Sequence, residues 1–189
     1  MVFDLFFKMC SLSTFNDFID IDCLINMGVN QMARKTFFSF HYQKDIWRAG
    51  QVRNSWVTKP DRETAGFFDS AEWEEVKKKD DASIERWIDK QLEGTSVTVV
   101  LIGSQTHGRK WINYEITSSW KNNKVLIGIY IHNLKDKDQR TDAKGKNPFE
   151  QWTFKKGEQI IQIPVYDWIN DDGYNNLGKW VEAVAPKNN

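Results

Sequence analysis

Cysteine is nearly absent from this sequence, and its two cysteines, Cys10 and Cys23, both lie near the N-terminus. Two cysteines cannot build a disulfide framework, and there is no paired Cys and His spacing of the kind that binds zinc. We therefore expect no metal site and a reducing, cytoplasmic environment.

The sequence also lacks an excess of charge of one sign and a long apolar run. Lys and Arg together number 26, as do Asp and Glu, so no overall basic field would attract nucleic acid. No apolar run approaches the roughly 18–20 residues that span a bilayer. The apolar residues 1–9 include Asp4 and lack a basic region, which argues against a signal peptide. The expected class is a soluble protein without nucleic-acid or membrane partners.

Aromatic residues, in contrast, are abundant, at 14% of 189 residues with nine Trp. Hydrophobic residues make up 40% and charged residues 28%, a balance typical of one globular domain. Most of the aromatic rings are expected in the core, and the surplus favours a pocket that stacks flat rings.

The composition changes at Met32. Residues 1–31 contain both cysteines and a single basic residue, Lys8, whereas Met32 leads into the strand-like run Thr36-Phe37-Phe38-Ser39-Phe40. We predict that residues 1–31 are an N-terminal extension outside the fold, either an upstream translation extension or a small accessory segment. Residues 32–189 would then form the domain.

Strand and helix patterns alternate from Met32 onward. Apolar and β-branched runs predict strands at residues 35–41, 96–103, 125–131 and 160–165, the last near an edge because Pro164 interrupts it. Helices are predicted at 42–54, 72–79, from Ser83 to near Gly94, 109–121 and 174–184, with one more short strand near Phe67-Phe68. The alternation predicts an α/β fold with an open, mostly parallel, flavodoxin-like sheet covered by helices on both faces.

Ligands of such sheets bind beyond the carboxyl ends of the strands. Residues 39–42 and 103–107 lie at such ends, and the second segment opens a helix whose free N–H groups favour a phosphate. The sequence contains neither GxGxxG nor GxxxxGK[ST], so a dinucleotide fingerprint and a P-loop are both absent.

The helix predicted at 109–121 carries two stripes. Ile112, Ile116 and Trp120 recur at spacing four and should face the core. Trp111 and Glu115 form a second pair, turned about 100° from the first and close to the ligand-binding edge. Spacing alone leaves Glu115 open to two interpretations, a solvated surface residue or a functional carboxylate.

Taken together, these segments resemble the TIR-domain family. Phe37-Phe38-Ser39-Phe40-His41-Tyr42 is similar to the family's opening box, and Trp111-Ile112-Asn113-Tyr114-Glu115 is similar to the Trp-x-x-x-Glu signature of its NAD⁺-cleaving members. Arg53-Asn54-Ser55-Trp56-Val57-Thr58-Lys59 and Val100-Leu101-Ile102-Gly103-Ser104-Gln105-Thr106 bring the resemblance closer to the TIR-like subunit of the bacterial Thoeris antiphage system. The resemblance covers roughly residues 32–189.

The resemblance implies an NAD⁺-cleaving enzyme with Glu115 as its catalytic carboxylate. NAD⁺ would be the substrate, with no metal and no further cofactor. The product would be a cyclic ADP-ribose-type signal, or ADP-ribose if water attacks, and a separate effector protein would receive the signal. The family further implies a homo-oligomer on activation and an infection cue, such as a phage structural protein, as its trigger.

Other residues are candidates for binding the substrate, each with a structural alternative. Phe38 and Phe40 would stack on a ring or pack the core, and Trp111 would wall the pocket or pack its helix. Ser39 and Ser104 would bond ribose or phosphate or cap a turn. His41 lies at the same strand end, but no carboxylate is paired with it in sequence. Arg48, Arg53 and Arg109 would contact a diphosphate, although solvated faces are the expected default.

Two other functions stay open at this point. A non-catalytic TIR-like interaction module would not need Glu115 and Trp111 together. A flavodoxin-like cofactor binder needs a Ser/Thr/Gly loop after the first strand, where this sequence has His41-Tyr42-Gln43-Lys44. Because fold alone does not choose among these functions, the site must.

Overall fold

A computed structural model describes residues 34–58, 62–65 and 75–185. The chain divides into two units, Met1–Met32 and Ala33–Asn189. The described residues all belong to the second unit, so the predicted role of residues 1–31 lies outside them and stays a prediction. None of the described helices is long and apolar enough to cross a membrane.

The described elements alternate along the chain as the patterns predict. In order they are β1 (Arg34–Ser39), α1 (Tyr42–Val57), β2 (Arg62–Ala65), α2 (Asp81–Leu92), β3 (Val97–Ile102), α3 (Lys110–Lys121), β4 (Val125–Tyr130), a 3₁₀ helix (Pro148–Gln151), β5 (Lys155–Lys156), β6 (Gln159–Ile160), β7 (Val165–Asp167) and α4 (Gly173–Val184).

Five of these strands form one parallel sheet in the order β2-β1-β3-β4-β7. The register sets Phe38 beside Val99, and Val99 beside Ile127, so the centre of the sheet is apolar across three strands. This strand order is that of flavodoxin-like folds, which place their ligand site where the order reverses, between β1 and β3. The predicted α/β class is therefore confirmed.

Helices cover both faces of the sheet. All six residues of β3 are buried, which explains its continuous apolar and β-branched sequence. On one face, Val99 and Leu101 pack with Val52 of α1 and Val181 of α4. On the other face, Val100, Ile102 and Leu126 pack with Ile112 and Ile116 of α3. The stripe predicted on α3 is therefore its core-facing side.

Two predicted helix boundaries have identifiable local causes. Asp80 caps α2 by accepting a hydrogen bond from the Ser83 backbone N–H at 2.9 Å, so the helix begins at Asp81 rather than at Ser83. Gly94 has a φ of +72°, the left-handed conformation that ends helices at glycine, two residues after Leu92.

The strand predicted at 160–165 is wrong as one unit. Gln159–Ile160 pairs instead with Lys155–Lys156 in a small antiparallel hairpin, and the edge strand of the main sheet is Val165–Asp167. Pro164 precedes that strand, and its carbonyl accepts from the Gly128 N–H at 2.9 Å. Pro164 thus marks the division between the two strands, because proline cannot donate to a ladder.

The prediction between α1 and α2 is only partly covered. The short strand described there is Arg62–Ala65, earlier than the Phe67-Phe68 position predicted for it. Phe67, Phe68 and most of the predicted 72–79 helix lie outside the described residues. The described part of that segment, Glu75–Lys79, begins with two helical residues and then forms a turn.

Candidate active site

A cavity of about 310 Å³ opens where the end of β1 meets the start of α3. It lies at the carboxyl edge of the sheet, as the fold rule predicts. Its lining combines aromatic rings, cations and one carboxylate. The lining residues are Phe38, Phe40, His41, Tyr42, Gln43, Lys77, Arg109, Lys110, Trp111, Ile112 and Glu115.

Glu115 lies at the inner side of this cavity. Glu115 is 7% exposed, and its carboxyl oxygen Oε2 accepts a hydrogen bond from the Ser39 hydroxyl at 2.5 Å. Ser39 ends β1 beside Val100 of β3, and α3 packs over that part of the sheet through Ile112 and Ile116. The last residue of a strand and the second turn of a helix thus meet at one carboxyl group.

Burial raises the pKa of Glu115 from 4.5 to about 8, against a smaller opposite effect of the Ser39 hydrogen bond. Desolvation penalises the charged carboxylate, while a hydrogen bond from a hydroxyl stabilises it. A buried acid with a raised pKa that also lines a cavity is a typical functional group. The solvated alternative for Glu115 is wrong.

Aromatic rings form the walls beside this carboxyl group. Phe38 and Phe40 project from the same side of β1, since strand residues two apart share a face. Phe40 stacks on Tyr42 with ring centroids 6.1 Å apart and planes at 27°. Trp111 lines the cavity and also packs against the cluster around Phe37, so both interpretations of this residue hold. Phe38 and Phe40 likewise both line the cavity and belong to the buried core.

Three cationic residues line the outer part of the same cavity, namely Lys77, Arg109 and Lys110. Arg109 is exposed and is held by Gln105, whose side-chain oxygen accepts from Nη2 at 2.8 Å. Lys110 forms an ion pair with Asp81, and its Nζ lies 4.6 Å from the Trp111 ring centroid. The prediction that Arg109 lies on a solvated face is therefore only partly correct, because this side chain also borders the candidate site.

His41 contributes a ring to the cavity at the N-cap of α1. Its Nδ1 is buried and makes no hydrogen bond within the described residues. Burial lowers the pKa of His41, and the charges of Arg109 and Lys44 lower it further. Both effects favour the neutral form of the ring.

Ser104, in contrast, does not join this cavity. Its hydroxyl donates to Asp142 at 2.7 Å, and Asp142 also pairs with Lys44 at 3.3 Å. Ser104 thus ties the loop after β3 to the long loop after β4. The structure brings together Phe38, Ser39, Phe40, His41, Trp111 and Glu115 of the predicted site residues, and it leaves Ser104 apart.

Sequence reasoning missed a buried ion pair next to the site. Arg48 was expected on a solvated face, yet it is 2% exposed and its Nη1 lies 3.7 Å from Asp45 Oδ1. Burial raises the pKa of Asp45 to about 6, although Arg48 acts in the opposite direction. Gly103 needs to be glycine here, since a Cβ would lie 2.2 Å from Asp45 Oδ2. The Asp-x-x-Arg spacing at the start of α1 was the available signal.

A second cavity, of about 380 Å³, lies at the opposite edge of the sheet, near Asn123, Lys124 and Pro164. It contains none of the predicted site residues. Among the described residues, no group of three or more His, Cys, Asp or Glu side chains could hold a metal ion.

The fold and this site define a flavodoxin-like α/β domain with a buried carboxylate at its ligand-binding edge. Comparison with known proteins is consistent with that class. The family model described as "Thoeris protein ThsB, TIR-like domain" matches residues 37–136, which include Ser39, Trp111 and Glu115. The chain is also 40% identical over 191 residues to the Bacillus cereus (strain MSX-D12) protein named "Putative cyclic ADP-D-ribose synthase ThsB1", covering 79% of this chain and 100% of that protein. The chain belongs to the ThsB family of TIR-like proteins.

Proposed function

We propose that this protein is an enzyme that cleaves NAD⁺ and releases a cyclic ADP-ribose-type product, within a Thoeris antiphage system. The observation that carries the proposal is Glu115, a buried carboxylate in a cavity walled by aromatic rings. The name of the B. cereus relative, a cyclic ADP-D-ribose synthase, supports the same activity.

The distribution of charge in the cavity supports an oxidised nicotinamide dinucleotide as the substrate. Among the described residues that line the cavity, Glu115 is the carboxylate, and it lies in the inner part of the cavity. Arg109 and Lys110 are exposed at its outer part. A pyridinium ring beside Glu115 would be attracted to the carboxylate and would stack on Phe38, Phe40 or Trp111. The diphosphate at the other end of the molecule would lie near the cations.

The reaction breaks the bond between the nicotinamide nitrogen and C1′ of ribose. Nicotinamide leaves with the bonding electron pair, and the ribose becomes an oxocarbenium-like cation. A hydroxyl elsewhere on the ADP-ribose then attacks C1′ and loses its proton, which closes the ring. The ionised form of Glu115, which is the minor form below its pKa of about 8, holds the ribose hydroxyls, stabilises the developing positive charge and accepts that proton.

Cyclisation is the outcome that we propose, with hydrolysis to ADP-ribose as its competitor. The aromatic rings beside Glu115 favour cyclisation because they limit the access of water to C1′. We further propose that the protein acts in the cytoplasm, associates with copies of itself when a phage component triggers it, and signals to a separate effector protein through its product. Specific activity that rises steeply with protein concentration would support self-association.

The test compares wild type with Glu115→Gln. Purified protein, concentrated or artificially assembled, is incubated with NAD⁺, and nicotinamide and ADP-ribose isomers are followed by mass spectrometry. We expect the variant to lose on the order of 10²–10³ in rate, as when one transition-state contact is removed. Glu93→Gln is the matched control, because Glu93 is an exposed glutamate outside the cavity lining and should keep wild-type activity.

Three results would contradict parts of the proposal. Equal rates for wild type and Glu115→Gln would remove Glu115 from the mechanism. ADP-ribose as the only product would replace cyclisation with hydrolysis. A folded protein that forms no product, either when assembled or in phage-infected cells, would favour a non-catalytic interaction module.

A further inference from the structure

The contact between Ser39 and Glu115 joins the end of β1 to α3 inside the candidate site. The Ser39 hydroxyl oxygen lies 2.5 Å from Glu115 Oε2, and Ser39 is 1% exposed. A serine hydroxyl has one proton to donate, and this proton is directed at the carboxyl group. Ser39 does not line the cavity, whereas Glu115 does.

We infer that Ser39 is a positioning residue, which holds the Glu115 carboxyl in one orientation and stabilises its charged form, rather than a residue that binds the nucleotide. The inference rests on the proposed function and deepens it. It replaces the sequence-based expectation that Ser39 bonds ribose or phosphate, because the hydroxyl proton is already committed and the side chain lies behind the carboxyl group as seen from the cavity.

The orientation of a glutamate matters because its side chain has three rotatable bonds. One hydrogen bond from a rigid strand removes much of that freedom before the substrate binds, so less is lost during the reaction. Within the described residues, the second carboxyl oxygen, Oε1, accepts no hydrogen bond and is left for the substrate.

The same hydrogen bond lowers the pKa of Glu115, against the dominant effect of burial. The other titratable groups that face the cavity are His41 and Tyr42 after β1, Lys77 before α2, and Arg109 and Lys110 at the start of α3. None of them contributes to the shift of Glu115, which burial and Ser39 set together. Removing the hydroxyl should therefore move the titration of Glu115 to higher pH.

The experiment measures that titration directly in the full chain. Protein labelled with ¹³C at glutamate side-chain carboxyls is titrated by NMR, and the Glu115 signal is assigned by its absence from Glu115→Gln. We expect Ser39→Ala to raise the midpoint by about one pH unit or more, since a hydrogen bond to a charged group typically contributes that much. Ser39→Thr keeps the hydroxyl on a strand position that suits β-branched residues, and it should restore the midpoint.

Ser119→Ala is the matched control. Ser119 lies one turn further along α3 and is fully buried, but its hydroxyl pairs with Thr98 at 2.8 Å instead of Glu115. This variant removes a buried hydroxyl from the same helix, so it should leave the Glu115 midpoint unchanged. If Ser39→Thr does not fold, Ser39→Ala and Ser119→Ala still decide the question.

Kinetics give the second measurement. Below the midpoint, Ser39→Ala should lower kcat about tenfold with little change in KM, and the loss should shrink as the pH rises. A raised KM with an unchanged midpoint would overturn the inference and make Ser39 a nucleotide ligand. An unchanged midpoint in an active enzyme would also overturn it. A moved midpoint in a protein that never cleaves NAD⁺ would instead contradict the proposed function, because the NMR measurement needs no turnover.

Discussion

A carboxyl group that is buried without a cation lowers the stability of a protein, and Glu115 has no cation partner among the described residues. Its pKa is raised from 4.5 to about 8 in the folded state, so folding favours the protonated form. Wild type should therefore lose stability as the pH rises from 4.5 through 8. The amide introduced by Glu115→Gln would stay neutral and keep an oxygen that accepts from Ser39. We predict that Glu115→Gln melts at least roughly 2–4 °C above wild type at pH 9, with no difference near pH 4.

Thermal melts from pH 4 to 9 check this prediction, with Glu93→Gln as the exposed control. The exposed substitution should shift the melting temperature little and equally at each pH. A Glu115→Gln variant that is less stable than wild type at pH 9 would contradict it. The expected gain fits a residue kept for activity at a cost in stability.

Asp45 gives a second prediction at the residue scale, in a lower pH range. Its pKa is raised to about 6 by burial, and neither carboxyl oxygen accepts a hydrogen bond within the described residues. The protonated form is favoured by folding, so wild type should lose stability between pH 3.8 and about 6. We predict that Asp45→Asn removes this loss and is at least as stable as wild type at pH 7.5. A destabilisation by Asp45→Asn that grows as the pH rises through about 6 would instead mean that the charged pair with Arg48 stabilises the fold.

Arg48 on helix α1 makes several hydrogen bonds to the loop after β4. Its Nε donates to the Leu134 carbonyl at 2.8 Å, and its Nη2 donates to the Arg140 carbonyl at 2.9 Å and to Asp136 at 3.3 Å. Arg48→Met would fit the space but would leave these acceptors and Asp45 without their cation. We predict a loss of about 3–5 kcal/mol in the free energy of unfolding, as for other broken buried pairs.

Urea unfolding measures this loss from the midpoint, provided that the slope is unchanged. Asn54→Gln, an exposed substitution on the same helix, should change the free energy of unfolding by less than about 0.5 kcal/mol. A loss of that small size for Arg48→Met would mean that the loop is held by its other contacts. These include the donation from Gln51 to the Lys135 carbonyl at 2.7 Å.

The elements that sequence predicts best are those whose local pattern agrees with their final burial. The run in β3 is apolar at almost every position because both faces are covered, and the stripe on α3 matches its packing. The segment 159–167 shows the opposite case. Its apolar residues are shared between a solvent-facing hairpin, where Ile160 is 56% exposed, and a three-residue edge strand. The hairpin strand and the edge strand differ in their pairing partners, and the partner of the edge strand is distant in sequence. The periodicity of the segment does not show which partner each strand has.

The sequence predicts which residues of the candidate site come together as far as strand ends and helix faces determine their positions. Ser39 and Glu115 are 76 residues apart, yet the fold rule brings the end of β1 to the start of α3. What the sequence could not predict is which atoms meet. Ser39 faces the carboxyl group rather than the cavity, and Ser104 bonds Asp142 in a loop that also accepts a hydrogen bond from Arg48. Such contacts follow from side-chain packing of the whole domain.

The last prediction concerns the extent of the domain. The change of composition at Met32 predicts a domain of residues 32–189, and the B. cereus relative is matched over its whole length by 79% of this chain. We therefore expect a chain of residues 32–189 to melt within about 2 °C of the full chain and to have the same kcat/KM for NAD⁺. A chain that starts at Tyr42 is the control. It lacks β1, which pairs with both β2 and β3, and it should not fold. An insoluble or inactive 32–189 chain would show that residues 1–31 belong to the working domain.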